Sequence, residues 1–122
     1  MKLIKSFRYA LEGIRYCFTT QLNFRIHLLV MLAVVGFAVY AGIHTAEWLF
    51  VTGCCMLVLT AELFNTAIEK LCDAVTSEQH PVIKAVKDMS AGAVLISAAG
   101  SVIIGCIIFF PKILHLIKKF YD

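Results

Sequence analysis

Four polar residues recur at helical spacing within an apolar part of the chain, in the segment TAELFNTAIEKLCD at residues 60–73. They are Glu62, Asn65, Glu69 and Asp73. Each residue of an α-helix advances by about 100°, so this spacing places all four within about 80° of one another on one face. A carboxylate near the centre of a bilayer is costly, so these side chains should face a protein interior or a wet cleft.

Glu62 most needs an explanation, because residues 48–61 before it contain no Asp, Glu, Lys or Arg. A carboxylate in such surroundings suits general acid–base catalysis. Glu69, two turns later, offers an oxygen ligand to Mg²⁺, which binds through one or two carboxylates together with substrate phosphates. A base and a metal ion are the minimum for phosphoryl transfer to a hydroxyl. A simpler interpretation also exists for Glu69 and Asp73, as the solvated end of a helix paired with Lys70.

The segment that follows, TSEQHPVIKAVKDMSAGAV at residues 76–94, contains further polar residues that could bind a nucleotide. Lys87 could neutralise phosphate oxygens, and Glu78 could accept a hydrogen bond from a ribose or a base. The other candidates are His80, Lys84 and Asp88. Each of them, taken alone, is also explained as the ordinary charge of a loop.

The composition is too apolar for a soluble domain of this size. Of 122 residues, 61% are hydrophobic and 16% charged, and the mean hydropathy is +0.87. Segments poor in charge predict transmembrane helices at residues 26–46, 48–70 and 89–110, each near the roughly 20 residues that cross the hydrocarbon core. Helices satisfy their backbone hydrogen bonds internally, as lipid requires. We therefore predict one all-α membrane domain over residues 1–122.

Residues 1–22 predict an amphipathic helix that lies in the membrane interface. One face would be apolar and the opposite face mostly basic. The apolar residues are Leu3, Phe7, Ala10, Ile14 and Phe18, and the charged residues opposite are Lys5, Arg8, Glu12 and Arg15. Tyr9 lies on the polar side, where an aromatic ring at headgroup level needs no further role.

Basic residues predict the orientation in the membrane. Five precede the first span, none lies between the first two spans, and three (Lys70, Lys84 and Lys87) lie in the loop expected over residues 69–88. The positive-inside rule then puts the N-terminus and residues 69–88 in the cytoplasm. Three lysines near the C-terminus fall on the outer side, against this rule: Lys112, Lys118 and Lys119.

Three segments together resemble a known family. They are NFRIHL at residues 23–28, ELFNTAIEKLCD at 62–73 and SEQHPVIKAVKDMSAGAV at 77–94. With them, the chain resembles the small prokaryotic diacylglycerol kinases, a family that includes the undecaprenol kinases of Gram-positive bacteria. The resemblance covers nearly the whole chain. It implies a homotrimeric enzyme of the bacterial inner membrane that uses Mg-ATP to phosphorylate a lipid hydroxyl at sites between subunits on the cytoplasmic side.

The resemblance also implies a role for individual residues. Glu62 would be the catalytic base, Glu69 a metal ligand, and Asn65 and Asp73 would order the site. The ATP-binding residues would be Tyr9, Gln21, Glu69, Glu78, His80, Lys87 and Asp88. Gln21 stands where the family commonly has a second metal-binding glutamate, so it would offer Mg²⁺ only a neutral amide oxygen. Lys2 stands where an arginine contacts ATP in the best-known branch.

Two other classes of protein fit part of the pattern. A stripe of Glu62, Asn65 and Glu69 suits a small proton-coupled transporter or pore subunit, and also a structural subunit whose polar residues hold helices together. A transporter or pore subunit would need neither the HPVIKAVKD segment nor a basic interfacial helix carrying tyrosines. We favour a lipid kinase without a nucleic-acid partner, and an assay of lipid-dependent ATP consumption separates all three classes. The acceptor, diacylglycerol or undecaprenol, stays open. We also expect packing between the three subunits to bury the stripe, because one chain alone should shield it little.

Overall fold

A computed structural model describes residues 1–121, and within them the secondary structure is entirely α-helical. The four helices are α1 (Lys2–Thr20), α2 (Leu22–Ala41), α3 (Thr45–Val75) and α4 (Pro81–Tyr121). Helices α2, α3 and α4 are each long and apolar enough to cross a membrane. The predicted all-α class is therefore confirmed, as is the number of helices that are able to span a bilayer.

Helix α3 is the centre of the bundle, because α4, α2 and α1 all contact it, α4 most extensively. The buried apolar cluster lies toward the α2–α3 turn and consists of Ala38, Ile43, Val51, Ile108 and Phe109. Elsewhere the helix surfaces are apolar and open, as at Leu49 (74% exposed) and Ile96 (76% exposed). An apolar surface of this kind is compatible with lipid chains around it and not with water.

The turn between α2 and α3 is built from two capping devices. Gly42 adopts φ 62°, the left-handed conformation that glycine accepts most readily. Its backbone N–H donates hydrogen bonds to the carbonyl groups of Ala38 and Val39. The backbone N–H of His44 donates to Glu47 Oε2 at 2.8 Å and starts α3. Since α2 ends at Ala41, the span predicted over residues 26–46 runs past the end of its helix.

The turn between α3 and α4 is much shorter than the sequence indicated. Only residues 76–80 separate the two helices, whereas residues 69–88 were expected to form a loop. Pro81 is the first residue of α4, a position where its fixed φ and missing N–H favour a helix. Lys84, Lys87 and Asp88 consequently lie on the first turns of α4, at fixed helical positions.

Helix α4 continues through Pro111, although the third predicted span ends at residue 110. Proline inside a transmembrane helix is tolerated where neighbouring groups satisfy the freed backbone carbonyl. Just beyond it, Lys112 Nζ lies 3.1 Å from Glu47 Oε2, which ties α4 to the first turn of α3. At about 1.5 Å per residue, α4 is roughly 60 Å long, twice the hydrocarbon core of a bilayer. Its ends must therefore lie outside the hydrocarbon.

Candidate active site

Four buried polar side chains lie along the interface of α3 and α4. Glu62 is 3% exposed, Asn65 8% and Thr66 3%, and all three lie on α3; Ser90, on α4, is 8% exposed. A single chain thus already buries the upper part of the predicted stripe. The expectation that packing between subunits is needed to bury the stripe was wrong for Glu62 and Asn65, which one chain buries. Glu69 is half-buried and Asp73 is exposed in the single chain.

Among the described residues, Glu62 has one ionisable partner within ion-pair distance, and it comes from α2. The Nε2 atom of His27 lies 3.2 Å from Glu62 Oε1, and the His27 side chain is 25% exposed. A buried carboxylate without a partner is strongly destabilising, so this contact is what makes the position of Glu62 tolerable. From the sequence, His27 was noted only as part of the NFRIHL segment. The signal was present, because a histidine within an apolar span is a natural partner for an intramembrane carboxylate.

Asn65 links α3 to α4 and orients the next carboxylate. Ser90 Oγ donates to Asn65 Oδ1 at 2.7 Å, and Asn65 Nδ2 donates to Glu69 Oε1 at 3.3 Å. With its oxygen and its nitrogen both engaged, the amide can adopt only one orientation. This geometry agrees with a site-ordering role for Asn65, and it adds Ser90, which the sequence analysis did not single out.

Asp73 pairs with a lysine from the other helix. Lys87 Nζ lies 2.5 Å from Asp73 Oδ1. The partner of Asp73 is therefore Lys87, whereas the simpler interpretation of the sequence had named Lys70. Asp88, which the resemblance placed near the nucleotide, forms an ion pair with Lys84 one turn earlier on α4. Lys87 remains 38% exposed, so it can approach a phosphate without being uncovered first.

An open polar cleft of about 730 Å³ surrounds the α3–α4 turn. It brings together five residues that the sequence analysis named: Asp73, Glu78, His80, Lys84 and Lys87. The backbone N–H of Val82 donates to His80 Nδ1 at 3.2 Å, which leaves Nε2 of that ring to a ligand. The cleft offers cationic, acidic and imidazole groups within one space, the mixture that a nucleotide requires.

An apolar cavity of about 370 Å³ lies on the other side of Glu62, between α2, α3 and α4. His27 and Leu59 line it at the end near Glu62, and Val51 and Phe109 line it toward the α2–α3 turn. Along α3, Glu62 follows Leu59 of the cavity by three residues and precedes Asp73 of the cleft by eleven. The buried carboxylate therefore lies next to the apolar cavity, and Glu69 lies between it and the polar cleft.

Two predicted nucleotide-binding residues lie on other elements. Tyr9 is 62% exposed on α1. Gln21 joins α1 to α2, where its Nε2 donates to Thr20 Oγ1 at 3.1 Å. Neither is held in a described contact with Glu62 or Glu69, so their roles stay predictions.

The acidic groups fit a cation that arrives with a nucleotide better than a permanently bound one. Within residues 1–121, no three His, Cys, Asp or Glu side chains come together as a metal site. Glu69 is half-buried, and the hydrogen bond from Asn65 engages only its Oε1. Mg²⁺ keeps several waters and binds through one or two carboxylates plus substrate phosphates. A single Glu69 carboxylate meets that requirement when ATP supplies the other oxygens.

Comparison with known proteins gives the class of this chain. The sequence model of the family described as prokaryotic diacylglycerol kinase matches residues 8–109. The chain therefore belongs to the prokaryotic diacylglycerol kinase family, which confirms the resemblance noted from the sequence. This membership makes it a lipid kinase and removes the transporter and structural-subunit alternatives.

Individual relatives agree with this assignment. The chain is 39% identical over 117 residues to the diacylglycerol kinase of Synechocystis, covering 93% of this chain and 66% of that protein. It is 40% identical over 112 residues to the undecaprenol kinase of Bacillus subtilis, covering 92% and 91%. It is 31% identical over 107 residues to the diacylglycerol kinase of Escherichia coli K12, covering 88% of each.

The bond between Ser90 and Asn65 should hold α3 and α4 together and fix the amide. We expect Ser90→Ala to lower the free energy of unfolding by about 1 kcal/mol, the usual value for one hydrogen bond between transmembrane helices. Ser97→Ala is the matched control, because Ser97 Oγ donates only to the Ala93 carbonyl of its own helix. Denaturant titrations in detergent measure both. Equal stability of the two variants would mean that the Ser90 bond contributes nothing.

Proposed function

We propose that the chain transfers the γ-phosphoryl group of ATP, bound with Mg²⁺, to the hydroxyl of a membrane lipid, either diacylglycerol or undecaprenol. The observation that carries the proposal is the burial of Glu62, a carboxylate 3% exposed that follows Leu59 of the apolar cavity by three residues on α3. Family membership supplies the class of reaction. The names of the relatives supply the two candidate acceptors.

Glu62 is the general base in this proposal. A carboxylate oxygen accepts the proton of the lipid hydroxyl while the hydroxyl oxygen bonds to the γ-phosphorus. The bond between that phosphorus and the oxygen bridging to ADP breaks, and ADP leaves with the electron pair. The hydrogen bond between Ser90 and Asn65 keeps the segment of α3 around Glu62 fixed. The cavity beside His27 has an apolar lining that suits a lipid chain.

The polar cleft would hold the nucleotide. Lys87 would contact phosphate oxygens, with Asp73 setting its position through their ion pair. Glu78 and His80 would contact the nucleoside, and Tyr9 and Asp88 would complete the nucleotide site, as the resemblance implies. Mg²⁺ would be held by Glu69 and by the amide oxygen of Gln21, and it would supply charge neutralisation at the phosphates.

The proposed topology has the N-terminus and the polar cleft on the cytoplasmic side of the bacterial inner membrane, with α1 in the interface. Five Lys or Arg residues precede the first span, which usually decides the orientation. The contact between Lys112 and Glu47 keeps Lys112 at the opposite end of the bundle, beside the α2–α3 turn. The homotrimer rests on the family resemblance alone, since one chain buries Glu62 without help.

The acceptor lipid is decided by direct comparison, because the chain is equally similar to a diacylglycerol kinase (39%) and to an undecaprenol kinase (40%). Purified protein in detergent micelles is given Mg-ATP with diacylglycerol, with undecaprenol or with neither. The proposal expects ATP consumption that depends on one of the two lipids. Consumption that neither lipid stimulates would contradict it.

Glu62→Gln tests the base. The substitution keeps the shape of the side chain but removes its capacity to accept a proton, so we expect turnover to fall by roughly 10²-fold or more. The affinity for ATP and the stability in detergent should change little. Glu47→Gln is the matched control, because Glu47 lies on the same helix at the α2–α3 turn, far from the cleft. Turnover near the wild-type rate in Glu62→Gln would assign the base to another residue.

Gln21→Glu tests the metal site. If Gln21 faces Mg²⁺, a carboxylate there should lower the Mg²⁺ concentration for half-maximal rate by about fivefold or more, since one added charge at 4 Å contributes at least about 1 kcal/mol even in water. Glu69→Gln should raise that concentration. Asn23→Asp, which adds a charge two residues away, is the control and should have little effect.

A compensating acid elsewhere would reverse this result. Glu12 is the nearest such candidate from the sequence, and its carboxylate is already engaged by Arg8 at 2.9 Å. A Mg²⁺ titration of Gln21→Glu that shows no shift to lower concentration would mean that Gln21 does not face the metal.

A further inference from the structure

His27 is the one histidine that the structure places against a buried carboxylate within residues 1–121, and neither the sequence nor the proposed function has given it a role. Its Nε2 lies 3.2 Å from Glu62 Oε1. It reaches Glu62 from α2, whereas the other buried polar residues beside Glu62 (Asn65, Thr66 and Ser90) belong to α3 and α4. Its ring also lines the apolar cavity. His27 thus contacts Glu62 and also lines the apolar cavity beside it.

The other polar groups near Glu62 are unable to take its place. Glu69, on the same helix, carries the same charge. Asn65 is committed to Ser90 through its oxygen and to Glu69 through its nitrogen. Thr66 is buried beside them, but a hydroxyl brings no charge. Only the imidazole has both the geometry and the capacity for positive charge to hold one oxygen of Glu62.

A general base needs a fixed orientation as well as a free lone pair. A carboxylate with neither oxygen held rotates about its last torsion, which is broad and roughly two-fold. Holding Oε1 stops that rotation and leaves Oε2 to face an incoming hydroxyl. The same arrangement of an orienting group behind a base recurs in catalytic sites with activated nucleophiles.

We propose that His27 is a positioning residue for Glu62, whose N–H at Nε2 holds one carboxylate oxygen so that the other accepts the proton of the lipid hydroxyl. The inference rests on the proposed role of Glu62 as the base. It assigns a specific task to a residue on α2, the helix that contributes no other group to the chemistry. The proton itself goes to Glu62, and His27 changes no covalent bond.

The test uses two substitutions in the full-length protein. His27→Leu removes the donor and keeps an apolar side chain of similar bulk. We expect kcat with the accepted lipid to fall by about tenfold or more, the scale of a misoriented catalytic group, with KM for ATP unchanged. His27→Gln retains an N–H donor at comparable reach and should recover most of the lost rate. His115→Leu, at an exposed position of α4, is the matched control and should behave as wild type.

A double substitution separates positioning from general damage to the fold. If His27 acts only through Glu62, then His27→Leu should have no further effect on the residual rate of Glu62→Gln, since residues that act as a unit are not additive. A purely structural role would lower that residual rate by the same factor as in the wild type. Stability in detergent, measured for every variant, identifies loss of folding.

The outcomes distinguish this inference from the proposed function. If Glu62→Gln retains wild-type turnover, the base assignment fails and the inference fails with it. If Glu62→Gln is slow but His27→Leu is as fast as wild type, only the positioning role is overturned. Additive losses in the double variant, or a His27→Gln variant as slow as His27→Leu, would also overturn it.

Discussion

A carboxylate inside an apolar helix must find partners within the protein, and much of this structure follows from that constraint. Glu62 lies well inside α3, where lipid offers nothing to solvate its charge. The chain meets the requirement by packing α4 against the polar face of α3 and by bringing His27 from α2. Ser90 then completes the interface through Asn65. These contacts join the three long helices at one level.

This arrangement joins two environments that a lipid kinase has to bring together. Along α3, the apolar cavity ends near Leu59 and the polar cleft begins at Asp73, a separation of about 20 Å along the helix axis at 1.5 Å per residue. Glu62 lies close to the apolar end, and Glu69 lies between it and the cleft. In the proposed reaction, the lipid hydroxyl would reach Glu62 from the apolar cavity, and the nucleotide phosphates would extend from the cleft toward Glu69.

The sequence predicted well the features that depend on local periodicity and composition. The three apolar helices follow from the length and composition of the uncharged segments. The stripe of Glu62, Asn65 and Glu69 follows from the repeat of the α-helix and from the cost of a charge in an apolar medium. The contacts of His27 with Glu62 and of Ser90 with Asn65 join residues far apart in the chain. They depend on how the helices are rotated against one another, which one sequence does not specify.

Helix ends were the least predictable part of the fold. Pro81 and Pro111 look alike in the sequence, yet the first begins α4 and the second lies inside it. The difference comes from the position in the helix. A proline in the first turn removes no hydrogen bond, whereas an internal proline needs neighbouring groups to satisfy the backbone carbonyl that it leaves free. The α3–α4 turn was expected to be long because its residues are polar. Polar residues also suit the exposed first turns of a helix that extends beyond the membrane.

The central claim is that a buried carboxylate on α3 directs the phosphoryl group of ATP to a lipid. The most direct measurement follows the label from γ-labelled ATP given to protein in vesicles that contain diacylglycerol or undecaprenol. Our account requires the label to appear in the organic extract as phosphorylated lipid, and to do so far more slowly with Glu62→Gln. Label released only as free phosphate, or transferred to lipid equally fast without the carboxylate, would contradict it.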